Sequence, residues 1–335
     1  RPPRSTQSRS SAASDVYKRQ FHTYAEEIAQ LMNSDRNANS VYIIPCDAKA
    51  EFCDHYTIDF FRDGGAPHRY VRVDRLSISE ALTDAIGDKT QVHLVHLKRG
   101  KGKFLWFVAD PNNLLGFLLE RYGDLVETQS TPDYDIATYH LPRNHVSLDL
   151  PHVPESMSLS FGEDVVLRGA NFGGIPDSPK NSNGKVVYTG GQVWVALRWD
   201  VLRPLREDYK VSLRLNDESG HLVSQFDHPL LDSKGFSTSA WTDLARPVDD
   251  YYTLPVPATT PPGDYLLEMV VYSSVSSRPL PVSGRPVQSV RLGTIRVLPS
   301  FVVANAGDQI ADMCRQEMTS GVFLLGCDLD IKEPQ

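Results

Sequence analysis

Between Val193 and Leu298 the chain alternates apolar and polar residues with a period of two. Val193, Val195, Leu197 and Trp199 interleave with Trp194, Ala196, Arg198 and Asp200. Tyr209, Val211, Leu213 and Leu215 interleave with Lys210, Ser212, Arg214 and Asn216, and Tyr265, Leu267, Met269 and Val271 repeat the pattern. Successive side chains of a strand point to opposite faces. Each segment therefore reads as an antiparallel strand with one buried and one wet face. Further strands are predicted over 165–172, 222–227, 251–256 and 290–298. Asp217-Glu218-Ser219-Gly220 and Pro261-Pro262-Gly263 supply turn chemistry between them. This many short strands suits a two-sheet sandwich.

The pattern upstream is mixed. Tyr24, Ile28, Leu31 and Met32 share one face of a predicted helix over 21–32. Strands follow at 41–44, 68–73, 92–97 and 135–141, and 104–108 continues or pairs with the third. A helix over 50–63 is closed by Gly64-Gly65. Ser77 with Glu80 reads as the capping box of a helix running to Ile86. Asp110-Pro111 opens a helix over 112–122. Strands alternating with helices predict a mostly parallel sheet covered on both faces.

The expected fold is therefore an α/β layer domain followed by an all-β antiparallel sandwich. The α/β domain spans 21–142, a Pro-rich linker 143–154, and the sandwich 155–299. Residues 322–329 echo 165–172: both read apolar-apolar-Leu-x-Gly-x-Asn/Asp-apolar. Residues 300–335 are thus expected to open a second, truncated sandwich repeat, with a short helix over 311–317. Residues 1–20, rich in Arg and Ser, have no apolar period. They read as a non-native leader of the cloning-adapter kind found on environmental gene fragments, or as a disordered basic tail. On the adapter reading, the gene begins upstream.

Composition narrows the function. The 335 residues are 41% hydrophobic and 23% charged, an ordinary globular mixture. A net charge of -8 argues against a nucleic-acid partner, which calls for a basic footprint. Cys46, Cys53, Cys314 and Cys327 lack the C-x2-C spacing of zinc sites. They are disulfides or free thiols according to compartment.

Catalytic motifs are missing: the sequence has no G-x-S-x-G elbow, no H-E-x-x-H and no P-loop spacing. His93 and His96, three apart on a strand, fall on opposite faces and do not share a metal. Cys53-Asp54-His55 has no third orienting group. Asp227, Asp232, Asp249 and Asp250 lack calcium-loop spacing. No catalytic residue, metal ligand or cofactor is assigned. Two contact surfaces are. Trp194, Trp241 and Tyr251 are candidates to stack on the C–H face of a sugar ring, core packing being the alternative. Lys98, Arg99, Lys101 and Lys103 are candidates to meet a lipid phosphate or anionic headgroup, a solvated basic turn being the alternative.

The sandwich segments, among them DYKVSLRLNDESG at 208–220, DDYYTLPV at 249–256, PPGDYLLEMVVY at 261–272 and VRLGTIRV at 290–297, carry a resemblance. They resemble the soluble tail of bacterial integral-membrane glycosyltransferases of the superfamily of protein mannosyltransferases and aminoarabinose transferases, which use lipid-phosphate-linked sugars. The segment from Tyr24 into Val41-Tyr42-Ile43-Ile44 is similar to the soluble domain after the last membrane helix of those proteins. The resemblance implies an extracytoplasmic, membrane-tethered region whose partner is the membrane-embedded catalytic region of the same protein, with glycan or lipid headgroups as further contacts. The family's catalytic acidic residues lie among membrane helices absent from this chain, so the resemblance implies an inactive fragment. The competing expectation is a carbohydrate-binding or cell-surface adhesion module.

Overall fold

The computed structural model describes residues 25–47, 58–98, 110, 112–143, 147–175, 185–242, 246–283, 289–300, 315–319 and 322–325. Helix α1, described over 25–34, is followed by β1 (Ser40–Cys46), β2 (His68–Arg72), α2 (Ile78–Ile86), β3 (Gln91–Leu97), α3 (Leu114–Tyr122), β4 (Asp124–Ser130) and β5 (Tyr134–His140). These strands form one sheet in the order β2-β1-β3-β5-β4. β2, β1 and β3 run parallel, whereas β5 and β4 run antiparallel.

The following strands are β6 (Leu159–Phe161), β7 (Val165–Ile175), β8 (Val186–Tyr188), β9 (Gln192–Val201), β10 (Tyr209–Asn216), β11 (Leu222–Pro229), β12 (Val248–Pro255), β13 (Gly263–Ser273) and β14 (Val290–Leu298). They build two facing sheets, β12-β9-β7-β6 and β11-β10-β13-β14-β8. Between them lies the sandwich core. Val195, Leu197, Trp199, Val211, Leu213, Leu215, Tyr265, Leu267, Met269 and Val271 all lie in it, as the alternation predicts. Burial fixes that register, since a slip of one residue would turn the whole set outward. Phe161 packs edge-on against Trp199 at 5.8 Å between ring centroids.

The expected α/β layer domain is not what forms. Among the described residues strand outweighs helix about threefold, 46% against 14%, and the fold is β-rich and sandwich-like. The first sheet is mixed because β4 and β5 join it as an antiparallel pair through the turn at Thr131–Asp133. Its helices are short, and the expected helix over 50–63 falls partly outside the described residues and otherwise gives one 3-10 turn at Asp59–Phe61. The capping box is not made either: Ser77 stands at the N-cap of α2 with no side-chain hydrogen bond.

Residues up to Leu298 form a single compact unit. The reason is a shared core. Val41, Ile43, Val92 and Leu94 of the first sheet pack with α2 and α3, and the same cluster includes Trp194, Ala196 and Tyr251 from the sandwich. β9 is thus buried on both faces, and the wet face that its alternation predicts is covered by α3. On the outer face of β9 Trp194 and Ala196 are buried and Gln192, Arg198 and Asp200 are half-buried, Arg198 being gripped by Asp249 through two bonds of 2.7 Å.

The second unit runs from Pro299 to Gln335. Its described part is a hairpin of β15 (Arg315–Thr319) and β16 (Val322–Leu325). Residues 315–317, expected in a short helix, are strand, and the strand at 322–325 has a partner.

Candidate functional site

The proposed sugar-stacking residues are buried. Trp194, Trp241 and Tyr251 are exposed by 5%, 5% and 7%. Trp194 carries the Arg121 guanidinium 5.5 Å above its ring, and Tyr251 stacks on Phe117 at 6.4 Å. Trp241 sits in the other cluster, in the sandwich core, donating its indole N–H to the Phe236 carbonyl at 2.8 Å. The three are divided between two cores and present no common platform. Their ring area is spent on joining layers.

Lys98 is equally committed. Its ammonium meets Asp135 at 2.7 Å, Ser130 Oγ at 2.7 Å and the Thr131 carbonyl at 2.6 Å. It ties the end of β3 to the β4–β5 turn. Arg99, Lys101 and Lys103 lie outside the described residues, as do Cys53, Asp54 and His55. The helix expected from residue 112 begins at Leu114, with Asn113 at its N-cap, so Pro111 is not in its first turn; Asp110 still accepts the first N–H groups of α3, from Leu114 at 2.7 Å and Leu115 at 2.8 Å. Cys46 is disulfide-bonded.

Among the described residues, a surface with recognisable binding geometry is one the sequence did not announce. A cleft of about 390 Å³ opens on the first sheet beside the end of α1. That is within the size range of small-molecule sites. Its floor is a row across four neighbouring strands, since Tyr42 pairs with His93, His93 with Thr138, and Thr138 with Glu127. Gln91 and His140 form the adjoining row. Leu31, Val126, Gln129 and Ile136 complete the lining.

The floor is rigid. Tyr42 and His93 stack with centroids 4.4 Å apart and planes 21° apart. Gln91 donates its amide N–H to His93 Nε2 at 3.2 Å, which leaves Nδ1 to donate to Thr138 Oγ1 at 2.9 Å. Gln91 is itself held by Asn37 at 2.8 Å. Burial pushes the His93 pKa down, against the pull of Asp35 and Glu127, so the ring is neutral at pH 7. Burial, reinforced by the Asp35 carboxylate, pushes Tyr42 up to about 12, so its hydroxyl stays protonated.

The rim is different. β4 is an edge strand, exposed along its whole length. A bulge between Leu125 and Glu127 lets Val126 and Glu127 both line the cleft. Bulges of this kind re-aim side chains beside functional sites. Glu127 touches Gln129 at 3.3 Å, and the His140 imidazole has no hydrogen-bond partner among the described residues. Among the described residues the lining has no Lys or Arg.

No family model matches the chain, and no curated protein matches it. Solved structures give slight likenesses. The chain is similar to the C-terminal domain of Wzt at 13% identity, over 45% of this chain and 80% of that one, with a TM-score of 0.26. It is similar to the PmoD soluble domain from Methylocystis sp. at 13% identity, over 42% and 96%, with a TM-score of 0.23. For the CARDB domain of a Pyrococcus furiosus protein, solved in complex with di-metal ions, the values are 16%, 42%, 93% and 0.23. Likenesses this slight carry no functional argument.

Proposed function

We propose that the chain is the accessory, extracytoplasmic region of a membrane glycosyltransferase that draws on a lipid-phosphate-linked sugar. In this reading it is tethered to the membrane-embedded catalytic region of the same protein and carries no catalytic residue itself. The observation that supports the reading is the disulfide at Cys46, at the end of β1 in the first sheet. Disulfides form and persist in oxidising compartments outside the cytoplasm. The resemblance of the sandwich segments to such tails points the same way.

The test is alkylation followed by mass analysis of protein made in its natural host, denatured without reduction. Cys46 is expected to stay unalkylated until a reductant is added. Alkylation of Cys46 before reduction would place the chain in a reducing compartment and end the reading. The purified chain is likewise expected to transfer no sugar from a polyprenyl-phosphate donor, and turnover would refute its accessory role.

The cleft favours a second reading, a glycan-contacting or adhesion module. That reading was attached to aromatic residues that are buried. The cleft gives it a different surface.

A further inference from the structure

We propose that the cleft between the end of α1 and the bulged edge strand β4 binds a small, uncharged, polyhydroxylated ligand of mono- or disaccharide size. The proposal rests on the glycan-contacting reading and gives it a site and a ligand class.

The lining selects this class by elimination and by fit. Anions are disfavoured: Glu127 lines the cleft, Asp35 stands 3.5 Å from His93 Nε2, His93 is neutral, and no Lys or Arg is among the described lining residues. An organic cation needs an open aromatic face. Tyr42 offers one ring face at most, because His93 covers the other at 4.4 Å. A wholly apolar ligand would strand Gln129, Glu127 and His140 against it, and buried polar groups without partners are costly.

Hydroxyl groups fit. Each one both donates and accepts, and the rim presents both kinds of partner: the Glu127 carboxylate accepts, the Gln129 amide does both, and His140 does both in its neutral form. The floor is fixed before any ligand arrives, by the chain of bonds from Asn37 through Gln91 and His93 to Thr138. A pre-organised floor spares the ligand the cost of ordering it. Val126, Ile136 and Leu31 give the C–H faces of a ring an apolar surface to rest on.

The experiment is saturation-transfer NMR on the whole chain, with glucose, galactose, mannose, xylose, maltose and lactose at millimolar concentration. Choline and inorganic phosphate serve as the charged probes. The expected result is transfer to at least one sugar and to neither charged probe. Glu127→Ala and Gln129→Ala should each weaken the sugar about tenfold, the worth of one lost hydrogen bond to a charged or amide group. Both residues lie on an exposed strand, so their thermal midpoints should match the parent. His140→Ala, also exposed, is the third variant should either of these lose stability. No binding of any sugar, binding that all three variants leave unchanged, or binding of choline or phosphate instead would overturn the site. None of these outcomes touches the accessory reading, which is tested separately by Cys46, by the transfer assay and by the upstream reading frame.

Discussion

Arg75 and Asp250 meet at 2.6 Å with side chains exposed by 7% and 0%. Arg75 follows β2 of the first sheet and Asp250 lies in β12 of the sandwich, so the ion pair joins the two halves of the compact unit. Each partner is further satisfied. Asp250 accepts hydrogen bonds from the Leu231 N–H at 3.0 Å, the Tyr251 N–H at 2.9 Å and the Tyr252 hydroxyl at 2.8 Å. Arg75 donates to the carbonyls of Leu231 and Asp232, and its own backbone N–H reaches Ser233. Burial pushes the Asp250 carboxyl upward, and Arg75 opposes it.

Breaking this pair strands a buried charge. Arg75→Met is expected to cost about 3–5 kcal/mol in urea unfolding. Arg75→Met combined with Asp250→Asn should recover much of that, because the orphaned charge is gone while the amide oxygen can still accept from the buried donors around it. A loss under about 1 kcal/mol for the single variant, the range of a surface pair, would show that the junction does not depend on it.

Trp194 separates a structural from a binding role. Buried against α3, it should cost about 3–5 kcal/mol when cut to alanine. A stability equal to the parent by thermal or urea unfolding would mean that the indole is a surface group.

The sandwich core was legible in the sequence because one face of each of β9, β10 and β13 is apolar at every second position and that face lies in the core. What was hidden is what covers the outside. Trp194 and Ala196 read as the wet face of β9, and nothing local in VWVALRW says that α3 will lie on it. Trp194 and Ala196, two apolar residues out of phase with the core set, were the available signal. β4 was missed for the opposite reason. DLVETQS buries nothing, since an edge strand can be polar throughout. The cleft depends on that strand and on its bulge, so it could not be read before the pairing was known. Asp110 was legible because a cap is a local device, and its carboxylate is found on the first N–H groups of α3.

His228 makes stability depend on pH. It is buried, its Nε2 donates to the Thr253 carbonyl at 3.0 Å, and burial depresses its pKa to about 4. The unfolded chain, with an ordinary histidine near 6.5, binds the proton first. Stability should therefore be full above about pH 6.5 and fall as pH drops toward 4, by on the order of 3 kcal/mol at the limit. His68, His93 and His96 are depressed by burial too and act in the same direction. Unfolding curves across this window should show the slope, and His228→Gln should flatten it. A parent protein as stable at pH 4.5 as at pH 7 would contradict the assignment.

The accessory role itself is tested most directly by the natural gene. Sequencing the reading frame upstream of Phe21 in its source DNA should reveal a series of apolar spans of about 20 residues each, the length that crosses a bilayer, with acidic residues in a loop between them. An initiating Met or a cleavable signal peptide immediately before Phe21, with no such spans, would contradict it.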